Sequence, residues 1–296
     1  SWMGAVAAGS AIFTLLFMSM NFLRMGTTGI TAQAFGGNDV SVAKTALAQS
    51  AIIAIALAVL LILLQNPLLD IAIRLISPGP VVGDATTKYF LIRIWAAPAT
   101  LLNFALIGWF LGMQNARAPL RITLLINISN ILLDLIFVPW AGWNIDGVAW
   151  ATVLAEYAGL TLALLLARQE ILKYPASING KHLLNLRSYK RLLDINANLF
   201  FRTITLMFTL AFVTAQGARY GELILAANAI LLNLQLFLSY ALDGIAHAAE
   251  ALSGKAFGAN TKAALRQVVR RTLMWSIVSA SLYSLFYFVA GEAIIG

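Results

Sequence analysis

A carboxylate and an amide stand one helical turn apart inside a strongly apolar stretch of this sequence. Asn130 and Asp134 are four residues apart, so a helix places both side chains on one face. An ionisable side chain is costly in hydrocarbon, and those found deep in a membrane usually serve ion or proton pathways. An apolar setting disfavours the charged carboxylate, so such a group gains or loses a proton as its hydration changes. The pair therefore predicts a cation-binding site inside a membrane helix.

Three further polar residues are expected beside this pair. From the rise per residue of an α-helix, Asp134 lies about 9 Å below the outer end of its helix. Thr152 and Glu156 lie about 8 Å and about 14 Å below the outer end of the next helix. The connection between the two helices is short, so they should pack together, and Asn103 lies near the middle of the preceding segment. We expect all five residues to line one polar pocket. A competing interpretation is structural: Asp134 is protonated and only hydrogen-bonds Asn130 to stabilise the packing of the helices.

Other charged side chains in apolar segments lie nearer to a helix end, from which a long side chain reaches water. Arg93 is expected about 8 Å from the outer face and Arg202 about 12 Å from the inner one. Arg202 has a second interpretation, in which it pairs with an acidic residue on the other half of the molecule. A further group is expected to lie at the cytoplasmic face without forming a metal site: Arg24, Asp243, His247 and Glu250.

The elements that position these residues are membrane helices. The chain is 60% hydrophobic and 11% charged, and it has no cysteine for a disulfide, zinc site or thiol nucleophile. A helix of about 20 apolar residues crosses a bilayer. Clusters of Gly, Pro, Asn and charged residues separate eight apolar segments of suitable length: 4–31, 45–64, 88–113, 119–140, 147–168, 195–215, 222–250 and 272–295. The predicted fold is an all-α polytopic membrane protein embedded in a lipid bilayer.

The basic residues sort onto alternate sides of these segments, and the richer side should be cytoplasmic. This distribution accounts for the net charge of +8 without a nucleic-acid partner. It places Ser1 and Gly296 outside, and we expect a further helix before Ser1. The longest cytoplasmic connection predicts a division into an N-terminal lobe, 1–173, a linker, 174–192, and a partial C-terminal lobe, 193–296.

A short internal repeat supports this division. Ala34-Phe35-Gly36-Gly37-Asn38 follows the first segment, and Ala256-Phe257-Gly258-Ala259-Asn260 follows the seventh. Both copies follow an inward-running helix and lie on the same side, six helices apart. The pattern predicts a parallel repeat of the kind that transporters use, with about twelve helices in the intact protein. One helix would precede this chain and three would follow it.

The motifs together resemble the multidrug and toxic compound extrusion (MATE) transporters, specifically the DinF subfamily. The matching stretches are Phe22 to Gly29, Ala32 to Gly36, Gly108 to Gly112, Asn127 to Asp134 and Ala241 to Gly244. The resemblance implies two lobes of six helices, of which this chain holds family helices two to nine. It assigns the N-lobe polar network to Asn103, Asn130, Asp134 and Thr152. The family also places a carboxylate on its first helix, so this chain alone is not expected to transport.

The resemblance implies a secondary antiporter that exchanges H+ or Na+ for small amphipathic, often cationic compounds by alternating access of two lobes. We expect a monomer in the bacterial cytoplasmic (inner) membrane, with no cofactor besides the coupling ion. One alternative is a lipid-linked precursor flippase, whose cavity should be more basic. A second is an intramembrane hydrolase using Asp134 and Asp243, but these residues are expected near opposite faces and common hydrolase motifs do not occur.

Overall fold

The computed structural model describes residues 2–76, 79–177, 180, 183, 186–219 and 221–295. This part of the chain is helical and contains no β-strand, which confirms the predicted all-α fold. We number its long helices α1 Trp2–Met20, α2 Phe22–Gly36, α3 Val40–Leu63, α4 Gln65–Ile76, α5 Pro80–Arg93, α6 Ala97–Gly112, α7 Arg117–Leu135, α8 Asn144–Leu172, α9 Leu186–Arg219, α10 Glu222–Gly258 and α11 Lys262–Ile295.

Eight stretches of the described chain are long and apolar enough to cross a membrane. They coincide with the eight predicted segments, although most are several residues longer. The spans are Met3–Gly36, Val40–Leu63, Pro80–Gly112, Arg117–Trp140, Asn144–Leu172, Leu192–Thr214, Ala227–Gly258 and Lys262–Gly291. Two of them combine consecutive helices, since α1 continues into α2 and α5 continues into α6.

Helices α1 to α8 form an N-terminal bundle in which α2 packs against α3 and α6. Gly108 and Gly112 lie one turn apart on α6, and a Cβ at either position would overlap α2 at Arg24 or Thr31. Small residues at this spacing let two membrane helices approach closely. Also on α6, the indole of Trp109 donates a hydrogen bond of 3.0 Å to the carbonyl of Ala43 on α3. Helix α6 is therefore held closely against both α2 and α3.

Helix α4 occupies a stretch that the sequence analysis treated as a connection. Its 12 residues are too few to cross the bilayer, so a search for long apolar segments does not detect it. Leu69 packs into the core, while Ile71 and Leu75 are exposed. Helix α4 is therefore a short element between the second and third spans.

Helices α9 to α11 form a C-terminal bundle with large exposed apolar side chains. Phe208, Phe237 and Phe288 are 70%, 60% and 87% exposed, as expected of side chains that meet lipid or further helices. Helix α9 begins at Leu186, inside the segment predicted as linker 174–192, and several residues of that segment lie outside the described part of the chain.

Three helices end with the same capped turn. Helices α2, α6 and α10 are followed by Asn38, Gln114 and Asn260, whose φ angles are 58°, 63° and 51°. In each case, the next amide donates to a carbonyl five residues earlier, as Asp39 does to Ala34. This is the helix-ending motif that needs a left-handed residue, for which Asn is suited. The two copies of the internal repeat therefore fold alike.

Candidate functional site

Three spans of the N-terminal bundle are interrupted, and each interruption lies next to a polar residue. The first breaks at Asn21, between α1 and α2, and the third narrows to a 3₁₀ turn at Ile94–Ala96. The fourth ends in a π-helical turn at Ile136–Trp140, directly after Asp134. Pro98 follows the 3₁₀ turn and Pro139 lies within the π-helical turn, and neither residue can donate the usual helical hydrogen bond. Such broken helices at membrane depth are typical of transporter binding sites.

The predicted polar residues form two hydrogen-bonded pairs that meet on α8. Asn130 of α7 donates through Nδ2 to the Thr152 hydroxyl at 3.2 Å. Asn103 of α6 donates through Nδ2 to Glu156 Oε2 at 3.1 Å and to the Glu156 carbonyl at 3.1 Å. Because Thr152 and Glu156 are one turn apart on α8, the two pairs are neighbours. Gly159 allows this packing, since a Cβ there would overlap Ile126 of α7.

Asp134 lies one turn from Asn130 but does not share its hydrogen bond. Among the described residues, the buried Asp134 Oδ1 has no hydrogen-bond partner, and the Asn130 amide donates to Thr152 instead. The structural interpretation of Asp134 required a hydrogen bond between Asp134 and Asn130. An acceptor left without a protein donor in a buried position is costly unless a proton, ion, water or ligand satisfies it.

A cavity of about 430 Å³ opens between α1, α5, α6 and α8. Of the predicted residues, Thr152 and Glu156 line it. Much of its wall is aromatic, as is usual for sites that bind drug-sized compounds. Other residues that line the cavity include Phe13, Phe17, Asn21, Tyr89, Arg93 and Phe104.

Arg93 lies further from the beginning of its span than predicted. The estimate of about 8 Å assumed that the span begins at residue 88, but α5 begins at Pro80, 13 residues before Arg93. Arg93 therefore follows about 20 Å of helix and lines the cavity. Its guanidinium lies over the rings of Phe13 and Phe17, at 5.4 and 5.6 Å from their centroids. The correct length of the span would have revealed this depth.

Arg24 was expected to lie at a helix end from which its side chain reaches water, but the side chain is buried in the protein, because only 8% of Arg24 is exposed. Its Nε donates to Asn21 Oδ1 at 2.9 Å, and its Nη1 donates to His247 Nδ1 on α10 at 3.2 Å. Glu250 and Asp243 of the same helix also interact with it electrostatically. Since Asn21 lines the cavity, this group links the cavity to the C-terminal bundle.

The two bundles meet at the capped ends of α2 and α10 through a reciprocal contact that we call the glycine interlock. A Cβ at Gly36 would overlap the backbone of Lys255, and a Cβ at Gly258 would overlap the backbone of Gln33. In each copy of the repeat, the glycine lies three residues after the partner carbonyl. The contact is therefore nearly two-fold symmetric, and each glycine is needed for the close approach.

Further contacts join the two bundles beside the glycine interlock. The Gln114 side chain donates to the Ala251 carbonyl at 3.0 Å. The Lys255 amine lies 5.5 Å from the centroid of Phe35, within the range of a cation–π interaction. Gly26 of α2 lies against the Asn196 side chain of α9. The two bundles are thus joined through backbone, polar and aromatic contacts.

Arg202 is exposed, and within the described ranges it forms no ion pair with an acidic residue of the other bundle. Across the same ranges, no group of three His, Cys, Asp or Glu residues is arranged to hold a metal ion.

The fold and the site together define a multi-pass membrane protein with a polar pocket at broken helices. A family model described as MatE matches residues 1–136 and 199–296. DNA damage-inducible protein F of Escherichia coli (strain K12) is 40% identical over 296 residues, which are 99% of this chain and 64% of that protein. The chain belongs to the MATE family, and this confirms the resemblance to its DinF subfamily.

Two further similarities agree with this assignment. Protein DETOXIFICATION 43 of Arabidopsis thaliana is 28% identical over 69% of this chain and 38% of its own length. A MATE protein crystallised in complex with MaD5 superposes with a TM-score of 0.89 at 18% identity, over 99% of this chain and 66% of that one, which shows the fold. The chain spans less than two thirds of the curated relatives. Members of the family are transporters rather than enzymes, so the hydrolase alternative is not supported.

Proposed function

We propose that this chain forms the greater part of a secondary antiporter that exports small amphipathic, often cationic compounds in exchange for H+ or Na+. The proposal rests chiefly on Asp134, an ionisable residue within a membrane span. Among the described residues, its buried Oδ1 has no hydrogen-bond partner. Asn130, Thr152, Asn103 and Glu156 supply further oxygen and amide groups nearby. A carboxylate with neighbouring oxygen ligands suits a proton or a hard monovalent cation. The antiporter works as a monomer in the bacterial cytoplasmic membrane.

Alternating access of two lobes is the proposed mechanism, with the lobes at 1–173 and 193–296 joined by 174–192. The glycine interlock supports it, because such a contact closes the cytoplasmic side when α2 and α10 meet. The cavity lies further along the spans, away from that contact. The hydrogen-bonded link from Asn21 through Arg24 to His247 joins the two regions. A ligand in the cavity that moves α1 would therefore act on the contact between the lobes.

The flippase alternative receives less support from the charges of the cavity. A site for lipid-linked phosphate headgroups should carry a positive excess, since phosphate is recognised by clusters of Arg and Lys. The charged residues that line the cavity are one arginine, Arg93, and one acid, Glu156. This lining lacks the positive excess that a phosphate headgroup needs, and Glu156 offers an acidic group to a cationic part of a ligand.

The test is transport by the intact protein reconstituted in liposomes, with ethidium as an amphipathic cationic probe. Ethidium should accumulate when the lumen is more acidic, or richer in Na+, than the medium, and collapse of that gradient should release it. Accumulation that follows only one of the two gradients identifies the coupling ion. Protein-free liposomes measure passive leak, and accumulation that ignores both gradients contradicts the proposal.

A further inference from the structure

Arg93 is a deep cation that the proposed coupling site does not use. It lies in the third span and lines the cavity. Within the part of the chain that the structure describes, its buried Nη1 has no hydrogen-bond partner. The rings of Phe13 and Phe17 stabilise the positive charge but accept no strong hydrogen bond. Arg93 therefore borders the cavity with at least one donor that no protein group satisfies.

An opposite charge lines the same cavity on a different helix. Glu156 of α8 interacts electrostatically with Arg93 but does not approach it closely enough for an ion pair within the described residues. Asn103 holds the Glu156 carboxylate through a hydrogen bond of 3.1 Å. The two charges thus flank the cavity and do not neutralise each other by contact.

An aromatic wall lies beside the two charges. Phe13 packs against Tyr89 and Phe17, with ring centroids 6.3 and 5.6 Å apart, and Phe104 also lines the cavity. The Ser10 hydroxyl lies 3.2 Å from that of Tyr89 and helps to orient its ring. A volume of about 430 Å³ suits a small aromatic compound. The cavity therefore offers an apolar surface with a donor group and an acceptor group.

We propose that Arg93 binds an anionic group of the ligand, so that the cavity selects amphipathic aromatic zwitterions over plain cations. The ligand carboxylate accepts hydrogen bonds from the Arg93 guanidinium, while its cationic part faces Glu156. A paired arginine and carboxylate form one of the strongest hydrogen-bonded contacts in proteins. The inference deepens the proposed export function by naming a substrate class, but binding alone can test it.

The test compares rhodamine B with its ethyl ester. Both dyes carry the same xanthylium cation, and only rhodamine B carries a free carboxylate. We expect the intact purified protein to bind rhodamine B more tightly than the ester. Arg93→Gln should weaken rhodamine B binding by about tenfold or more and leave ester binding unchanged, because a charged hydrogen bond is lost. Arg93→Lys, which keeps the charge, should weaken it less. Glu156→Gln should weaken binding of both dyes.

The control is Lys88→Gln, which removes a positive charge from an exposed position on the same helix and should not change the ratio of the two affinities. Equal weakening of both dyes by Arg93→Gln would overturn the proposal and assign Arg93 a structural role. Unchanged binding of both dyes would also overturn it. Binding of both dyes without gradient-driven ethidium transport would count against the export function alone, since this test measures affinity.

Discussion

Replacing Asp134 with Asn is expected to reduce gradient-driven ethidium transport by about tenfold or more, the scale of a typical coupling free energy between two ligand sites. The substitution keeps the size of the side chain but removes its ability to bind a proton or a cation. Because Asp134 Oδ1 makes no hydrogen bond among the described residues, the substitution breaks no protein hydrogen bond at that atom. The variant should therefore keep its thermal stability. The measurement is initial transport rate per reconstituted protein.

Asp194→Asn is the matched control for this substitution, because Asp194 is exposed near the beginning of the sixth span. It changes the same chemical group and should leave transport unchanged. Wild-type transport by Asp134→Asn would remove this residue from the coupling mechanism. In that case Glu156→Gln becomes the next variant to examine, since Glu156 is the other acid of the pocket.

Alanine at Gly258 or Gly36 is expected to open the cytoplasmic side. The added Cβ would overlap the backbone of the facing helix, and backbone cannot rotate away as a side chain can. Overpacking of this kind costs about 1–3 kcal/mol, which shifts a two-state equilibrium by about 5-fold to 150-fold. Spin labels at introduced cysteines on the exposed positions Val42 and Lys262 would report the change, since this chain has no cysteine of its own. Both variants should show a longer distance between the labels than the wild type.

Two glycines of the same helices provide matched controls. Gly29 of α2 and Gly244 of α10 have no atom within 4 Å of an added Cβ. Alanine at these positions removes the helix-breaking tendency of glycine without overlap, so the label distance should stay that of the wild type. If Gly36→Ala and Gly258→Ala also keep that distance, the glycine interlock does not hold the cytoplasmic side closed.

The spans and the nearness of α7 to α8 could be predicted from sequence because their signals are local and strong. A membrane helix needs a long apolar run, and the described residues contain eight such runs. Residues four apart share a helical face, and a short loop forces neighbouring helices together. The individual pairs could not be predicted, because depth alone set Thr152 level with Asp134, whereas Thr152 accepts a hydrogen bond from Asn130. The roles assigned to these residues in coupling are still predictions.

The interruptions of the spans were not predicted, because hydropathy averaged along the sequence contains no information about backbone hydrogen bonds. Pro98 and Pro139 were available signals for the breaks at Ile94–Ala96 and Ile136–Trp140. Asn21 offers no such signal, since asparagine is compatible with a helix. The breaks matter because Arg93 and Asp134 lie directly before two of them.

Arg24 shows a different limit of sequence reasoning. Its distance along the helix predicted a place near the cytoplasmic face, where a long side chain usually reaches water. Arg24 is instead buried by α10, a helix distant in sequence, whose His247 contacts the guanidinium. Likewise, the repeated motif indicated two related helix ends, but only the three-dimensional packing revealed that Gly36 and Gly258 face each other's helices.

If Asp134 binds the coupling cation, ligand binding should release that cation from it. The purified intact protein, in weakly buffered detergent solution, is titrated with ethidium while a pH indicator and a Na+ electrode record the medium. Antiport through this residue predicts release of H+ or Na+ by the wild type and by Asp194→Asn, and no release by Asp134→Asn. Equal release by Asp134→Asn and the wild type would contradict the account.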